Sequence, residues 1–488
     1  MRVILAGVWL WVALLPAFNG VAIAADGLAR VRARGTLRWG ADVQGGEPYA
    51  FQDPQDTSHL LGFEVEIADA VARRLGVRSA CVQNDWQTLI PSLERGDFDM
   101  ILNGLEVTPP RRARLAFTRP YYAFTETLVV RRDAPQTLTL PALRAQRVGT
   151  LSGSLAHDLL RQTPGIEVVL YEGVQEPYID LEEGRLAGVV LDNIIANRYG
   201  LVRPTLRAAA TVGEGVYAIA LRRDEPDLLH AVDDALATMQ SDGQLQAILT
   251  RWQLWDSRQA GLTGTALVAP EKTGDEGLRL GHLTLFLRAA TFTVLISTLA
   301  MLLAIAGGLG LSIARRYGGR WMAGAAGTYI EVFRGTPVLL QLYVLYYGLA
   351  PVLPLSAFTA AVVGLGLNYA AYEAELYRAG LQAVPVGQAE AAAALGMSRA
   401  LALRRIILPQ AFRVALPGIA NDFIALLKDS SLVSVITVVE LTKQMTITAV
   451  DVRNWMGPGL LCAGLYLALS YPLSRLARHL EHRLSPAA

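Results

Sequence analysis

Ala289–Ala314 reads AATFTVLISTLAMLLAIAGGLGLSIA, without a single charged residue. It exceeds the ~20 apolar residues that a helix needs to cross the hydrocarbon of a bilayer. In hydrocarbon every backbone polar group must be satisfied within the segment, so this run is expected to be a membrane-spanning helix. Hydropathy differs on its two sides. Up to about Trp255 charges are scattered as in a globular protein; after Leu283 long apolar runs alternate with Arg-rich patches. A chain of 488 residues is too long for one ordinary domain. The contrast divides it into a soluble module followed by a membrane module.

Working outward, Gly335–Tyr372 is a second uncharged stretch, too long for one helix. Pro351 and Pro354 divide it between two spans, the first beginning near Ala323 and taking in Glu331 and Arg334, which are expected to pair. A fourth span lies within Leu416–Val439 and a fifth over Trp455–Ser474. Arg315, Arg316 and Arg320 follow the first span; Arg399, Arg404 and Arg405 lie between the third and fourth; Arg475, Arg478 and Arg483 follow the fifth. The loop Ala350–Ala357 is uncharged. The positive-inside rule then puts the module's N-terminus outside and its C-terminus in the cytoplasm. The start of the chain agrees. Arg2, the apolar Val3–Phe18 and Ala22-Ile23-Ala24 before Asp26 read as a secretory signal, with an uncleaved anchor helix as the alternative. Either one exports the soluble module. The expected domains are residues 1–24 (signal), 25–257 (soluble), 258–282 (a Gly-, Thr- and charge-rich linker) and 283–488 (membrane).

A formal net charge of +1 without a long basic run gives no reason to expect a nucleic-acid partner. Cys81 and Cys462 fall in different modules and form no CxxC pattern, and the six histidines are scattered, so neither a disulfide nor a metal site is expected. No GxxxxGK[ST] phosphate loop occurs, so ATP, if used, is used by another polypeptide.

The soluble module alternates short apolar strands (Leu37–Ala41, Met100–Leu102, Val148–Leu151, Gly188–Leu191, Tyr217–Leu221) with helical periodicity. Helices are expected over Gly62–Leu75, with its charges on the outer face, over Trp86–Arg95, and as one long helix over Asp227–Trp252. That alternation predicts an α/β fold with a mainly parallel sheet. Capturing a free amino acid away from water takes a cation for its carboxylate and an anion for its ammonium. Arg suits the first because its planar fork can pair both oxygens; a buried Asp suits the second.

Six stretches carry a resemblance that bears on this chemistry: Gly62-Phe63-Glu64-Val65; Trp86 through Leu93 (WQTLIPSL); Gly96-Asp97-Phe98-Asp99; Thr108-Pro109-Pro110-Arg111-Arg112; Phe117-Thr118-Arg119-Pro120-Tyr121; and Gly149 through Ser154 (GTLSGS). In this order they resemble the polar amino-acid binding proteins of bacterial ABC importers, the histidine, lysine-arginine-ornithine and glutamine binders above all, over roughly Thr36–Trp255. The resemblance implies the two-lobed periplasmic-binding-protein fold (type II), closing on ligand about a two-strand hinge near Val129–Arg131 and Thr211–Val216. It also implies that Arg111 clamps the α-carboxylate, Asp192 takes the α-ammonium and Ser154 adds a donor at a helix start. Asp42 would face the ligand side chain, and Trp86, Tyr49 and Gly104 would line the pocket. Glu106 departs from the family's Ser or Thr. A carboxylate there either reaches a cationic group of the ligand or pairs with Arg111. Asp42 and Glu106 together lean the reading toward a basic amino acid. Thr211-Val212-Gly213-Glu214-Gly215 has a superficial likeness to a potassium filter, but no pore helix flanks it.

The membrane module resembles the permeases of the same importers. Glu390-Ala391-Ala392, Gly396, then Ile406, Leu408 and Pro409 match the whole EAA loop. Its Ala-rich helix and Gly turn present a small surface to a cytoplasmic ATPase. Arg334-Gly335-Thr336-Pro337 with Gln341, Ala371 through Glu375 with Arg378, and Lys428 through Leu432 resemble the polar amino-acid subgroup. The resemblance implies an all-α domain of five helices (ABC importer type I permease), a homodimer, and a multi-pass inner-membrane location with the binding module outside. The substrate is then a polar L-amino acid, and no cofactor is needed beyond the ATP used by the partner. Asn368 and Asn421 are candidates to line the pathway; Glu373 and Glu375 either carry a transport role or pair with Arg378. An amino-acid-gated channel and a two-lobed dehydratase are the alternatives. The EAA loop counts against the channel, and the fused helical module against the enzyme.

Overall fold

A computed structural model describes residues 27–262 and 278–484, except 54, 57, 58, 137, 351, 354 and 453. The expected signal segment, most of the linker, and Pro351 and Pro354 lie outside the described residues. The chain forms two compact units. The first runs to Ala123 and resumes from Val216; the second joins Phe124–Gly215 to the membrane module.

The strands are β1 (Thr36–Ala41), β2 (Phe51–Gln52), β3 (Leu60–Leu61), β4 (Arg78–Gln83), β5 (Met100–Ile101), β6 (Leu115–Arg131), β7 (Arg147–Leu151), β8 (Glu167–Tyr171), β9 (Gly188–Asp192) and β10 (Leu206–Arg222). In the first unit the order is β4-β1-β5-β10, with β1 parallel to β4 and β5, and β10 antiparallel to β5. Gly40 in β1 is required there, because a Cβ would lie 2.3 Å from the Phe98 ring. Phe98 packs with Leu89, Leu93, Ile101, Leu115 and Phe117 in a closed core. Each such side chain contributes about 1.5–3 kcal/mol on burial. The second unit's sheet runs β6-β9-β7-β8, with β7 parallel to β8 and β9.

Two expectations need correction here. The chain leaves the first unit within β6 at Ala123–Phe124, not near Val129–Arg131. Residues 126–129 already pair with β9, and Leu128 and Val130 are buried in the second unit's core. The return at Gly215–Val216 lies at the end of the expected Thr211–Val216 stretch. The Asp227–Trp252 helix is two, Pro226–Ser241 and Gln244–Arg251, because Gly243 takes a left-handed φ of 78° between them.

The membrane module comprises helices Leu280–Tyr317, Arg320–Gly335, Ala357–Ala383, Leu408–Asp429 and Met456–Leu484, with shorter pieces between. Among the described residues, Leu280–Tyr317 and Met456–His479 are long and apolar enough to cross a membrane. The expected second span is not one helix. Arg320–Gly335 stops at Thr336–Pro337, both extended, and the chain re-enters a helical path over Val338–Gly348. Proline bars the preceding residue from the α region, which ends the helix at that point. The amide Nε2 of Gln341 donates to the freed oxygens of Phe333 and Thr336 at 2.9 and 3.1 Å, and Asn368 Nδ2 donates to Phe333 O at 3.1 Å. Broken backbone at such a place persists because side chains re-satisfy it. The fourth span begins earlier than expected, at Leu408, and ends in a 3-10 turn over Ser430–Ile436. The helix Leu441–Asp451 was not foreseen.

Leu280–Tyr317 and Ala357–Ala383 approach so closely that a Cβ on Gly308 would lie 2.5 Å from Glu373 Cβ and 2.9 Å from Ala370 O. Small residues permit this, as they do generally between membrane helices.

Candidate functional site

In open α/β sheets ligands bind beyond the carboxyl ends of the strands. Most of the residues expected in the pocket fall at such an end or in the loops after it. In the first unit Asp42 follows β1, Trp86 follows β4, and Gly104, Glu106 and Arg111 follow β5.

These residues form one connected set. Asp42 is buried, and its Oδ2 accepts the Trp86 backbone N–H at 3.0 Å while its own N–H donates to Asn103 Oδ1 at 2.7 Å. One oxygen of Asp42 therefore holds the Trp86 turn. The Arg111 guanidinium carbon lies 5.3 Å from the centroid of the Trp86 ring, within cation–π range. Thr108 caps the short helix Pro109–Arg112 that carries Arg111. Arg111 Nη1 donates to Glu106 O at 2.9 Å and forms an ion pair with the Glu106 carboxylate. Of the two outcomes open to Glu106, the structure has the pairing with Arg111. Tyr49, buried, places its hydroxyl 3.3 Å from that of Tyr217 and covers Gly104, where a Cβ would lie 2.9 Å from the Tyr49 ring. Gly104 has a φ of 56°, so both conformation and space favour glycine.

Glu64, expected as an outer charge of its helix, is fully buried and accepts the Gly104 N–H at 2.6 Å and the Tyr121 hydroxyl. Burial, with Glu64 beside it, pushes the Tyr121 phenol well above its ordinary range. The position of Glu64 carried the signal: Ile67, Ala68 and Val71 follow at helical spacings on the same buried face.

In the second unit, Ser154 follows β7 and Asp192 ends β9, neighbouring parallel strands. Ser154 caps the Leu155–Gln162 helix, its Oγ accepting from His157 N at 3.2 Å and donating to Leu151 O at 2.8 Å. Asp192 caps the turn after it, accepting Ile195 N–H at 2.9 Å. The start of a full helix at Ser154 is a setting that favours anions. Glu126, not singled out from the sequence, is buried directly opposite Asp192 in the β6–β9 register, so two carboxylates sit side by side. His157 is buried with its Nδ1 accepting from Gly153 N at 3.3 Å; burial, with Arg161 nearby, pushes it down to about 4.

In the membrane module, Glu390 and Ala391 are exposed on the Val386–Ala394 helix and Ala392 is buried. Gly396, at φ 75°, closes that helix: its N–H reaches Ala393 O at 2.9 Å and Met397 N–H reaches Ala392 O at 3.0 Å. This paired closure takes a left-handed residue, hence glycine. Ile406 lies in the turn before Leu408 and Pro409, which open the Leu408–Asp429 helix. Val386 and Leu395 stand 75% and 82% exposed beside the alanines and leave an apolar surface there. Glu331 and Arg334 do not pair; Arg334 lies over the Tyr372 ring instead, 5.4 Å from its centroid. Glu375 pairs with Arg378 at 2.7 Å and with Arg315. Glu373 is fully buried. Asn368 is committed to the helix break and Asn421 is exposed. Among the described residues no cluster of three or more His, Cys, Asp or Glu could hold a metal.

Residues 37–254 match the bacterial extracellular solute-binding proteins, family 3, and residues 306–486 match the binding-protein-dependent transport system inner membrane component. The chain is 39% identical over 223 residues to the octopine transport system permease protein OccM of Rhizobium meliloti, covering 42% of this chain and 86% of that one. It is 33% identical over 248 residues to the L-cystine-binding protein TcyJ of Escherichia coli, covering 49% of this chain and 91% of that one. Among solved structures, holo ArgBP from T. maritima is similar at 28% identity and a TM-score of 0.41, covering 46% of this chain and 99% of that one. The chain therefore belongs to the binding-protein-dependent transport systems. Within them it is an amino-acid ABC importer component that carries a solute-binding domain and a permease domain in one polypeptide, a transport subunit of the inner membrane. The gated-channel alternative is not favoured.

Proposed function

We propose that the chain captures a polar L-amino acid outside the cytoplasmic membrane and passes it inward, with ATP hydrolysed by a separate ABC ATPase. In this reading residues 1–24 are the signal, 25–257 the external receptor, 258–282 a tether and 283–488 a five-span permease with a cytoplasmic C-terminus. The second span is made by the broken pair of helices. The observation that carries the ATPase partner is the exposed Val386–Ala394 helix with its glycine-closed end. Glu390, Ala391, Ala392 and Gly396 shape the docking face, and Ile406, Leu408 and Pro409 join it to the Leu408–Asp429 helix. The permease acts as a homodimer, and the tether keeps each receptor at high local concentration above it.

Arg111, backed by Trp86, takes the ligand carboxylate with help from Ser154, and Asp192 takes the ammonium. Asp42, Tyr49 and Gly104 bound the side-chain end. Glu106 serves to orient Arg111, so the lean toward a basic ligand now rests on Asp42 and on Glu126 beside Asp192. The relatives are named for octopine, L-cystine and, in a further case, arginine, all bearing polar or charged groups beyond one α-amino acid centre.

Proteoliposomes holding this chain and its cognate ATPase, supplied with ATP, are expected to accumulate one or more of the common polar amino acids. Leu395→Asp should abolish uptake while ligand binding persists. Uptake without any ATPase, or uptake unaffected by Leu395→Asp, would defeat the reading.

A further inference from the structure

The two halves of this chain match relatives that are separate proteins, a permease and a binding protein. Any contact between those halves is therefore a receptor–permease contact, and the second unit contains one. Asp180, on the Glu176–Glu182 helix, is fully buried. Its Oδ1 accepts from Arg185 Nη1 at 2.8 Å; its Oδ2 accepts from the Tyr171 hydroxyl at 2.5 Å and from the Tyr346 hydroxyl at 2.8 Å. Tyr346 belongs to the membrane module and is itself buried. The Arg185 guanidinium carbon stands 4.3 Å from the Tyr346 ring centroid, and Nη2 lies 3.4 Å from Tyr346 O. A second contact joins Lys443 Nζ to Glu172 Oε1 at 2.9 Å. The Lys443 side chain is 2% exposed, and its backbone N–H is held by the buried Glu440 at 2.7 Å.

Both contacts have the marks of a specific interface. A buried carboxylate is tolerated when its lone pairs are filled, and here one of the three donors comes from the permease. A lysine withdrawn from water needs an anion, and its anion comes from the receptor. Tyr171 and Glu172 are consecutive at the end of β8, so the two contacts share one edge of the lobe.

We propose that residues 124–215 of the receptor are held on the membrane module of the same chain through Asp180, Arg185 and Glu172 on one side and Tyr346 and Lys443 on the other. The interface is a standing joint, distinct from the ligand residues, and transport depends on it while ligand affinity does not. The proposal goes beyond the transport reading and is tested separately from it.

The full chain is prepared with Cys81 and Cys462 replaced by Ser, a protease site within residues 263–277, and Glu172→Cys with Lys443→Cys. A short bis-maleimide is added in membranes and the linker is then cut. The two fragments are expected to stay covalently joined, and to separate in either single-cysteine chain. Separation in the double variant would overturn the joint. When differently tagged copies each carry one of the two cysteines, joining between copies as efficient as in the double variant would overturn the same-chain assignment. In uptake, Glu172→Lys and Lys443→Glu should each lower the rate several-fold, the two together should restore most of it, and calorimetric ligand affinity should stay within about twofold throughout. A double variant no better than the singles would also overturn the proposal. Cross-linking is read without any transport, so a chain that joins but accumulates nothing refutes the importer reading alone.

Discussion

Glu106–Arg111 in the first unit and Asp180–Arg185 in the second are both Arg–carboxylate pairs five residues apart. They differ in what surrounds them. The Asp180 carboxylate is filled by Arg185 and two tyrosine hydroxyls, with the pair 1% and 9% exposed. The Glu106–Arg111 pair is nearly as buried, 8% and 11% exposed, but its guanidinium lies against Trp86, a half-buried indole, rather than among tyrosine hydroxyls. A guanidinium stacked on an indole beyond the strand ends is the one proposed to meet a ligand carboxylate. One closed in by tyrosines is placed to hold two pieces of protein together. On the two readings proposed above, the same pair of residue types serves recognition in one place and cohesion in the other.

The largest effect should come from the pair beside Trp86. Arg111→Ala is expected to weaken amino-acid binding about a thousand-fold, roughly 4 kcal/mol, as read by calorimetry. Near-normal affinity would remove Arg111 from the pocket. The closed pair should answer in the opposite way. Asp180→Ala leaves Arg185 buried without its anion and should lower stability by about 3 kcal/mol in thermal unfolding, at unchanged affinity. Acid acts on the second unit through His157. Its folded-state pKa is depressed to about 4, so the neutral form's stabilisation is fully present above the ordinary value near 6.5. It is lost as pH falls from there toward 4, up to about 3 kcal/mol. His157→Gln should flatten that part of a pH–stability profile. The smallest effect sharpens the comparison: Tyr346→Phe leaves Asp180 with two donors and should cost about 1 kcal/mol.

Much of this was legible in the sequence. The α/β alternation and the charge-free Ala289–Ala314 are strong periodic or compositional signals, and the candidate site residues were named from their motifs. The sequence did not tell whether Glu106 would meet a ligand or Arg111, because that depends on how the turn at Thr108 folds back. The second span was misjudged by weighing missing charge over Pro337, although a proline there forbids continuous helix. The Leu441–Asp451 helix escaped because Thr442, Lys443, Gln444 and Thr446 give it no apolar run; the Glu440 carboxylate accepts its first backbone N–H groups, and Gln444 donates to Thr448 within it. Glu64 shows the converse. Its buried face could have been counted, but a carboxylate was assumed to face water. The Asp180–Tyr346 contact had no sequence signal, since it joins residues 166 apart.

The strand order of the first unit also has a consequence for biosynthesis. Ile101 in β5 pairs with Ala220 in β10, which emerges from the ribosome more than a hundred residues later, after the whole Phe124–Gly215 segment. Closing so long a loop is slow, and the unpaired edge of β5 stays open until it happens. The receptor half of this molecule must therefore remain incomplete through much of its own translation. In the export proposed for the receptor half that delay is a gain, because only an unfinished sheet can still be threaded across a membrane.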